Sequence, residues 1–323
     1  MSDPNRGNQV DVSDESDEEE AGGGVQIIPG EVLPPVDLDP NATDVDLIHR
    51  RISVIEGFQV LTQVETLCLR QNEIKKIEGL ETLTTLTELD LYDNQLTKIE
   101  NLDTLTNLQQ LDLSFNKIRK IENLEKLVNV VKLFLVQNKI SEICNLSHFT
   151  QLTMLELGSN RIRKLENLEG LVNLESLFVG KNKIGKLENL GQLKKLKVLS
   201  IQSNRITKLE NLEELENLEE LYISHNSIEV IENLEGNLKL TTVDLAGNRI
   251  KRLTNLSHLT QLEEFWFNSN LLEHWQDVDQ LRNATNIQTV YFEHNPIQKD
   301  PMYRKKLKLA LPSLTQIDAT YIR

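Results

Sequence analysis

Asparagine returns in this chain at a fixed interval of 22 residues. It stands at Asn72, Asn94, Asn116, Asn138, Asn160, Asn182, Asn204, Asn226, Asn248 and Asn270, and once more at Asn295 after a step of 25. Ahead of each lies a short apolar alternation, such as Leu67-Cys68-Leu69, Leu89-Asp90-Leu91 or Leu133-Phe134-Leu135. A second asparagine recurs at Asn101, Asn123, Asn145, Asn167, Asn189, Asn211, Asn233 and Asn255, with Gly79 in its place in an early unit. A period this strict implies stacked repeats, each burying its apolar side only against its neighbours. The alternation reads as a short strand whose leucines enter the core while the residues between them face out. At the turn off the strand, one asparagine amide offers two donors and an acceptor to backbone groups that no ladder serves. These asparagines are therefore read as structural.

The motif L-x-x-L-x-L-x-x-N-x-L resembles the leucine-rich repeat. The fold class expected is an α/β repeat solenoid of 22-residue units. A curved parallel sheet lies on its concave face and short helical or 3₁₀ turns on its convex face. Val45-Asp46-Leu47 holds the strand position of a degenerate first unit in which Arg50 replaces the asparagine. Eleven recognisable units follow, and the solenoid is assigned residues 43–295. Residues 296–323 read as a C-terminal cap. There Tyr303, Leu307, Ala310 and Leu311 share one helical face, and Arg304, Lys305, Lys306 and Lys308 read as its solvated side.

The formal net charge is −15, but residues 1–42 carry −10 of it, with eleven acids against Arg6 alone. With Gly22-Gly23-Gly24 and Pro34-Pro35 as well, this stretch reads as a disordered acidic tail. Ser13 and Ser16 stand directly before acids and resemble acidophilic kinase sites. An acidic chain is poorly suited to nucleic-acid backbones. No run reaches the roughly 18 apolar residues of a membrane span, and the start lacks the pattern of a secretory signal. Two cysteines, Cys68 and Cys144, support neither a disulfide framework nor a four-cysteine zinc site. The chain is expected to be intracellular and monomeric on its own, with no cofactor, membrane or nucleic acid.

A solenoid of this kind leaves one surface free for function, the strand face. Its middle column runs Cys68, Asp90, Asp112, Phe134, Glu156, Phe178, Ser200, Tyr222, Asp244, Trp266 and Tyr291. With the columns on either side, six of 33 positions are aromatic although aromatics make up 5% of the chain; eight are acidic and two basic. Trp and Tyr are the usual anchors of protein interfaces, and the acids would orient a basic partner. At about 4.8 Å per strand the face is roughly 50 Å long, a size for a folded protein. No phosphate loop, H-E-x-x-H or G-x-S-x-G is present, and the six histidines are dispersed. The chain is not expected to be an enzyme.

Local strings narrow the resemblance. They are Leu155-Glu156-Leu157-Gly158-Ser159-Asn160-Arg161-Ile162-Arg163, Glu264-Phe265-Trp266, and the ending Asn295-Pro296-Ile297-Gln298-Lys299-Asp300-Pro301 with Gln316-Ile317-Asp318-Ala319-Thr320. From about residue 44 onward the chain resembles the leucine-rich-repeat regulatory subunits of protein phosphatase 1. The resemblance implies binding of the phosphatase catalytic subunit through the concave face, with Asp112, Phe134, Glu156, Phe178, Tyr222, Asp244, Glu264, Trp266 and Tyr291 as contacts. It also implies control of phosphatase activity, maturation or localisation in nucleus and cytoplasm, with consequences for mitosis and chromosome segregation. A ternary complex with an inhibitor protein of the same phosphatase is a further implication. The alternative is a scaffold or adaptor for another intracellular complex, axonemal or splicing.

Overall fold

The computed structural model describes residues 38–322; Ser13, Ser16 and most of the acidic stretch lie outside that range. The described chain contains one fourteen-stranded sheet in strict sequence order. Its first twelve strands are three residues long: β1 Asp44–Asp46, β2 Thr66–Cys68, β3 Glu88–Asp90, β4 Gln110–Asp112, β5 Lys132–Phe134 and β6 Met154–Glu156. They continue through β7 Ser176–Phe178, β8 Val198–Ser200, β9 Glu220–Tyr222, β10 Thr242–Asp244, β11 Glu264–Trp266 and β12 Thr289–Tyr291. All pair in parallel, and the register offset between most neighbours is the 22-residue period itself, as in Glu156↔Phe178. The central residue of each strand, from Val45 to Val290, is buried, and the residues on either side point to the opposite face.

The ladder asparagines do what their amides allow. Asn94 Nδ2 donates to Leu69 O at 2.9 Å and to Leu91 O at 3.1 Å, and its Oδ1 accepts from Ile74 N–H at 3.0 Å. The same pattern links each unit to the one before it, through Asn160 (Nδ2 to Leu135 O, 2.8 Å) and on to Asn295 (Nδ2 to Phe267 O, 2.8 Å). The second asparagines hold a left-handed turn. Asn101 has φ 58° and donates to Ile77 O at 2.7 Å. Gly79 takes the same conformation, and a Cβ there would lie 2.6 Å from Ile55 O. Asparagine tolerates positive φ better than most residues and glycine tolerates it at no steric cost.

Most return segments are not continuous 3₁₀ helices, although the first contains a one-turn 3₁₀ helix at Phe58–Val60. They run as separate i→i+3 turns, for example Leu83 N–H to Leu80 O and Leu86 N–H to Leu83 O, closing on every third residue. Each turn delivers one leucine to the core (Leu80, Leu83 and Leu86). That spacing leaves no two consecutive turns to merge. The three surplus residues between Asn270 and Asn295 are taken up by a true 3₁₀ helix, Trp275–Leu281. Arg252 grips its Asp277, Nε at 2.6 Å and Nη2 at 2.8 Å from the carboxylate, and holds that buried carboxyl below its usual range.

The C-terminal end contains the expected helix, α1 Tyr303–Ala310, with Tyr303, Leu307 and Leu311 buried. It also contains two further strands, β13 Gln316–Ile317, parallel to β12, and the antiparallel β14 Thr320–Tyr321 that closes the sheet. Asp318 takes the ladder's role, accepting from Phe292 N–H (2.9 Å) and Glu293 N–H (3.0 Å), while the Tyr303 hydroxyl donates to it. Of the helix cations, Arg304 donates to Ile317 O and Thr320 O, Lys308 to Pro312 O and Leu314 O, and Lys306 pairs with Asp300. Two of the four basic residues thus tie down the segment after the helix, and a third pairs with the turn before it.

Candidate interaction face

Parallel pairing in register puts eight of the nine singled-out residues into one row. Asp112, Phe134, Glu156 and Phe178 are consecutive Cα partners across β4 to β7. After Ser200, Tyr222, Asp244, Trp266 and Tyr291 continue across β9 to β12. Glu264 sits in the adjoining row, two residues before Trp266 on β11. Seven of the eight in the row are half-buried and Asp244 is buried, because neighbours along a row shield one another. Trp266 and Tyr291 pack at 5.6 Å between ring centroids, tilted by 55°. The Tyr291 hydroxyl accepts from Gln316 Nε2 at 2.8 Å, so the cap strand extends the face. The Tyr222 hydroxyl donates to Glu220 at 2.8 Å; burial, then the Glu220 carboxylate, push its ionisation well above the ordinary tyrosine value.

One polar atom on the face is unmatched. The Trp266 indole N–H is buried and, among the described residues, meets no acceptor. A buried donor without a partner is costly, on the order of 1–3 kcal/mol. An acceptor brought in by a docked protein would satisfy it.

The aspartates of the row have a second task that their sequence pattern did not disclose. Asp112 Oδ1 accepts from Ser114 N–H at 2.8 Å, and Asp244 Oδ1 accepts from Ala246 N–H at 3.0 Å. Asp46 and Asp90 make the same bond to Ile48 and Tyr92. In these units an aspartate side chain holds the backbone two residues on, an Asx-type turn at the strand exit. Glu156 makes no such bond among the described residues. Burial raises the carboxyls of Asp112, Glu156 and Asp244 above their ordinary values, with Asp112 adding to the effect on Glu156. A row of reluctantly ionised carboxylates favours an approaching cation.

A neighbouring cluster lies partly outside the three columns. The Arg70 guanidinium sits 4.2 Å from the Tyr92 ring and 3.3 Å from Asp90, and Tyr92 packs on Phe115 at 4.7 Å. Phe115 is 41% exposed and occupies the turn just before Asn116. Its signal in the sequence is a large aromatic at a position where nine of the ten other units carry a polar residue, such as Gln71, Asp93 and Ser159, and the tenth carries Gly247. Among the described residues no group of three or more His, Cys, Asp or Glu is placed to hold a metal ion, and no helix is long and apolar enough to cross a membrane.

The family profile for leucine-rich repeats in two copies matches four consecutive stretches, 62–104, 106–148, 150–192 and 194–236, together just over half of the chain. The chain belongs to the leucine-rich-repeat family. Its backbone is similar to an internalin, inlF, of Listeria monocytogenes, at a TM-score of 0.70 and 27% identity over 87% of both chains. Internalin C2 of the same bacterium is 30% identical, with a TM-score of 0.54 over 57% of this chain and 83% of that one. In sequence it is similar to protein phosphatase 1 regulatory subunit 7 of Mus musculus, 61% identical over 51 residues. It is also similar to protein phosphatase 1 regulatory subunit SDS22 of Schizosaccharomyces pombe, 52% identical over 46 residues. Those matches cover 16% and 14% of this chain, and 14% of the length of each relative.

Proposed function

We propose that this leucine-rich-repeat protein is a non-catalytic regulatory subunit that binds the catalytic subunit of protein phosphatase 1 across its strand face. The observation that carries the reading is the row from Asp112 to Tyr291, with aromatics and acids in one register and an unpartnered Trp266 N–H among them. The partial similarity to phosphatase 1 regulatory subunits supplies the partner. Asp112, Phe134, Glu156, Phe178, Tyr222, Asp244, Glu264, Trp266 and Tyr291 form the contact surface, with the aromatics as anchors and the acids orienting a basic patch. Action in nucleus and cytoplasm and a ternary complex with an inhibitor of the phosphatase belong to the same reading. The test is capture of purified phosphatase catalytic subunit by the wild-type chain and by Glu264→Ala/Trp266→Ala. The double variant should keep its thermal transition and lose affinity by about 2 kcal/mol or more. Undiminished capture by a folded double variant would refute the proposal, and would leave an adaptor of another complex as the better reading.

A further inference from the structure

A second surface has a different chemistry. The residue following each ladder asparagine is Lys117, Lys139, Arg161, Lys183 and Arg205 in five successive units. Backbone hydrogen bonds of 2.8 Å join these units at that position, from Lys139 N–H to Ile118 O through Arg205 N–H to Ile184 O, so the five cations form one lane. With the third and fourth residues after each asparagine, the same five units present eleven Lys or Arg and a single acid, Glu142. Only Lys120 of the eleven lies within ion-pair distance of a described carboxylate, Glu122 at 3.9 Å.

The fold does not require this. The same turn accepts Glu73, Gln95, Ser227 and Leu271 in other units with the same backbone bond. Like charges stacked one strand spacing apart are destabilising, so the lane costs stability that its position does not demand. An acidic occupant would recover it. The lane is narrow, because half-buried Glu122, Glu166, Glu188 and Glu210 border it six residues after the asparagine. A nucleic-acid duplex, broad and uniformly anionic, would overlie that glutamate row. Among the described residues a single aromatic, Phe115, borders the lane at its start, beside Lys139 and Arg161, and one ring offers no platform for successive bases of a single strand. An extended peptide strand fits between. Four strand spacings of about 4.8 Å make the lane roughly 19 Å long, the reach of about six extended residues.

We propose that the flank formed by Lys117, Lys139, Arg161, Lys183 and Arg205 is a docking lane for an extended Asp/Glu-rich segment of a partner protein, separate from the strand face. It does not rest on the phosphatase reading. The test uses the full chain and fluorescein-labelled oligoglutamates of three, six and ten residues, followed by anisotropy at low and physiological salt. Binding should rise steeply from three to six residues and little from six to ten. Arg161→Glu/Lys183→Glu/Arg205→Glu should weaken the ten-residue probe at least tenfold, and Gln at the same positions should weaken it less, with circular dichroism unchanged. Glu264→Ala/Trp266→Ala should bind the probe like wild type, which separates this lane from the strand face. The proposal is overturned if wild type does not bind the probe, if the triple Glu variant binds it unchanged, or if oligothymidylate of equal charge binds as tightly.

Discussion

Two positions a few residues apart in every unit obey opposite rules. The ladder position holds asparagine in eleven units, while the middle of the adjoining strand holds cysteine, aspartate, phenylalanine, glutamate, serine, tyrosine or tryptophan. The first position faces backbone groups that must be satisfied and are the same in each unit. The second faces outward, where the stacking fixes its place in a row and leaves its chemistry open. Departures from the repeat are therefore where a specific partner can be read, and uniformity is where stability resides.

The largest effect should come from breaking the ladder. Asn160 satisfies Ile140 N–H (3.0 Å), Leu135 O (2.8 Å) and Leu157 O (3.1 Å). In Asn160→Ala the Ile140 N–H is left without an acceptor in a buried site, while Leu135 O and Leu157 O each lose one of two donors and keep Asn138 Nδ2 (3.3 Å) and Asn182 Nδ2 (3.0 Å), at about 4 kcal/mol in total. Urea unfolding should show it as a lowered midpoint; a loss below ~1 kcal/mol would mean that water takes the amide's place and that the ladder is dispensable.

Leu177 and Phe178 put the same contrast on adjacent residues of β7. Leu177 is fully buried, and Leu177→Ala should cost about 3 kcal/mol of stability. Phe178 lies half-buried in the outward row. Phe178→Ala should cost under about 1 kcal/mol of stability and weaken phosphatase capture roughly tenfold. Equal stability losses at the two sites would show that the outward row is packing rather than interface.

Asn237 breaks uniformity in the other direction. It stands where the flanking units have Leu215 and Leu259, is fully buried, and its Oδ1 has no partner among the described residues. Its Nδ2 donates to Leu212 O and Leu215 O, but both carbonyls already accept from Leu215 N–H and Leu218 N–H. Asn237→Leu orphans neither and fills the core as its neighbours do, so it should raise stability by about 1 kcal/mol. A lower melting temperature would show that the amide is holding the unit's backbone.

The contrast also explains what could be read before the structure. The period, the strands, the ladder and the outward row are visible because each follows from side-chain chemistry that repeats. The turn just before each ladder asparagine was not visible. Gln71, Asp93, Phe115, Gln137, Ser159, Lys181, Ser203 and His225 all adopt positive φ there. Only Gly247 among those turns shows the residue type that such a conformation favours. The surrounding ladder imposes the strained backbone, so no composition signals it. The two cap strands were hidden for the opposite reason. β13 and β14 are two residues each, too short for an alternation to register. The doubled role of Asp112 and Asp244, as face residues and as holders of Ser114 and Ala246, depends on a side-chain rotamer that spacing does not encode.

That doubled role gives the smallest predicted effect. Burial raises the Asp112 carboxyl above its ordinary value, with the bond from Ser114 N–H acting against it. Ionising Asp112 therefore costs more in the folded chain than in the unfolded one. Between the ordinary carboxylate value and the raised one, the native state binds more protons, so stability falls as pH rises through that interval. Asp112→Asn keeps an oxygen to accept from Ser114 N–H and removes the charge. Below the interval, where both chains are neutral at this site, the two proteins should unfold at the same urea concentration. Above it, the variant should be slightly the more stable. A variant less stable than wild type at neutral pH would instead mean that the charge strengthens the Ser114 bond by more than its burial costs. The carboxylate row would then be held for the turn rather than for a partner.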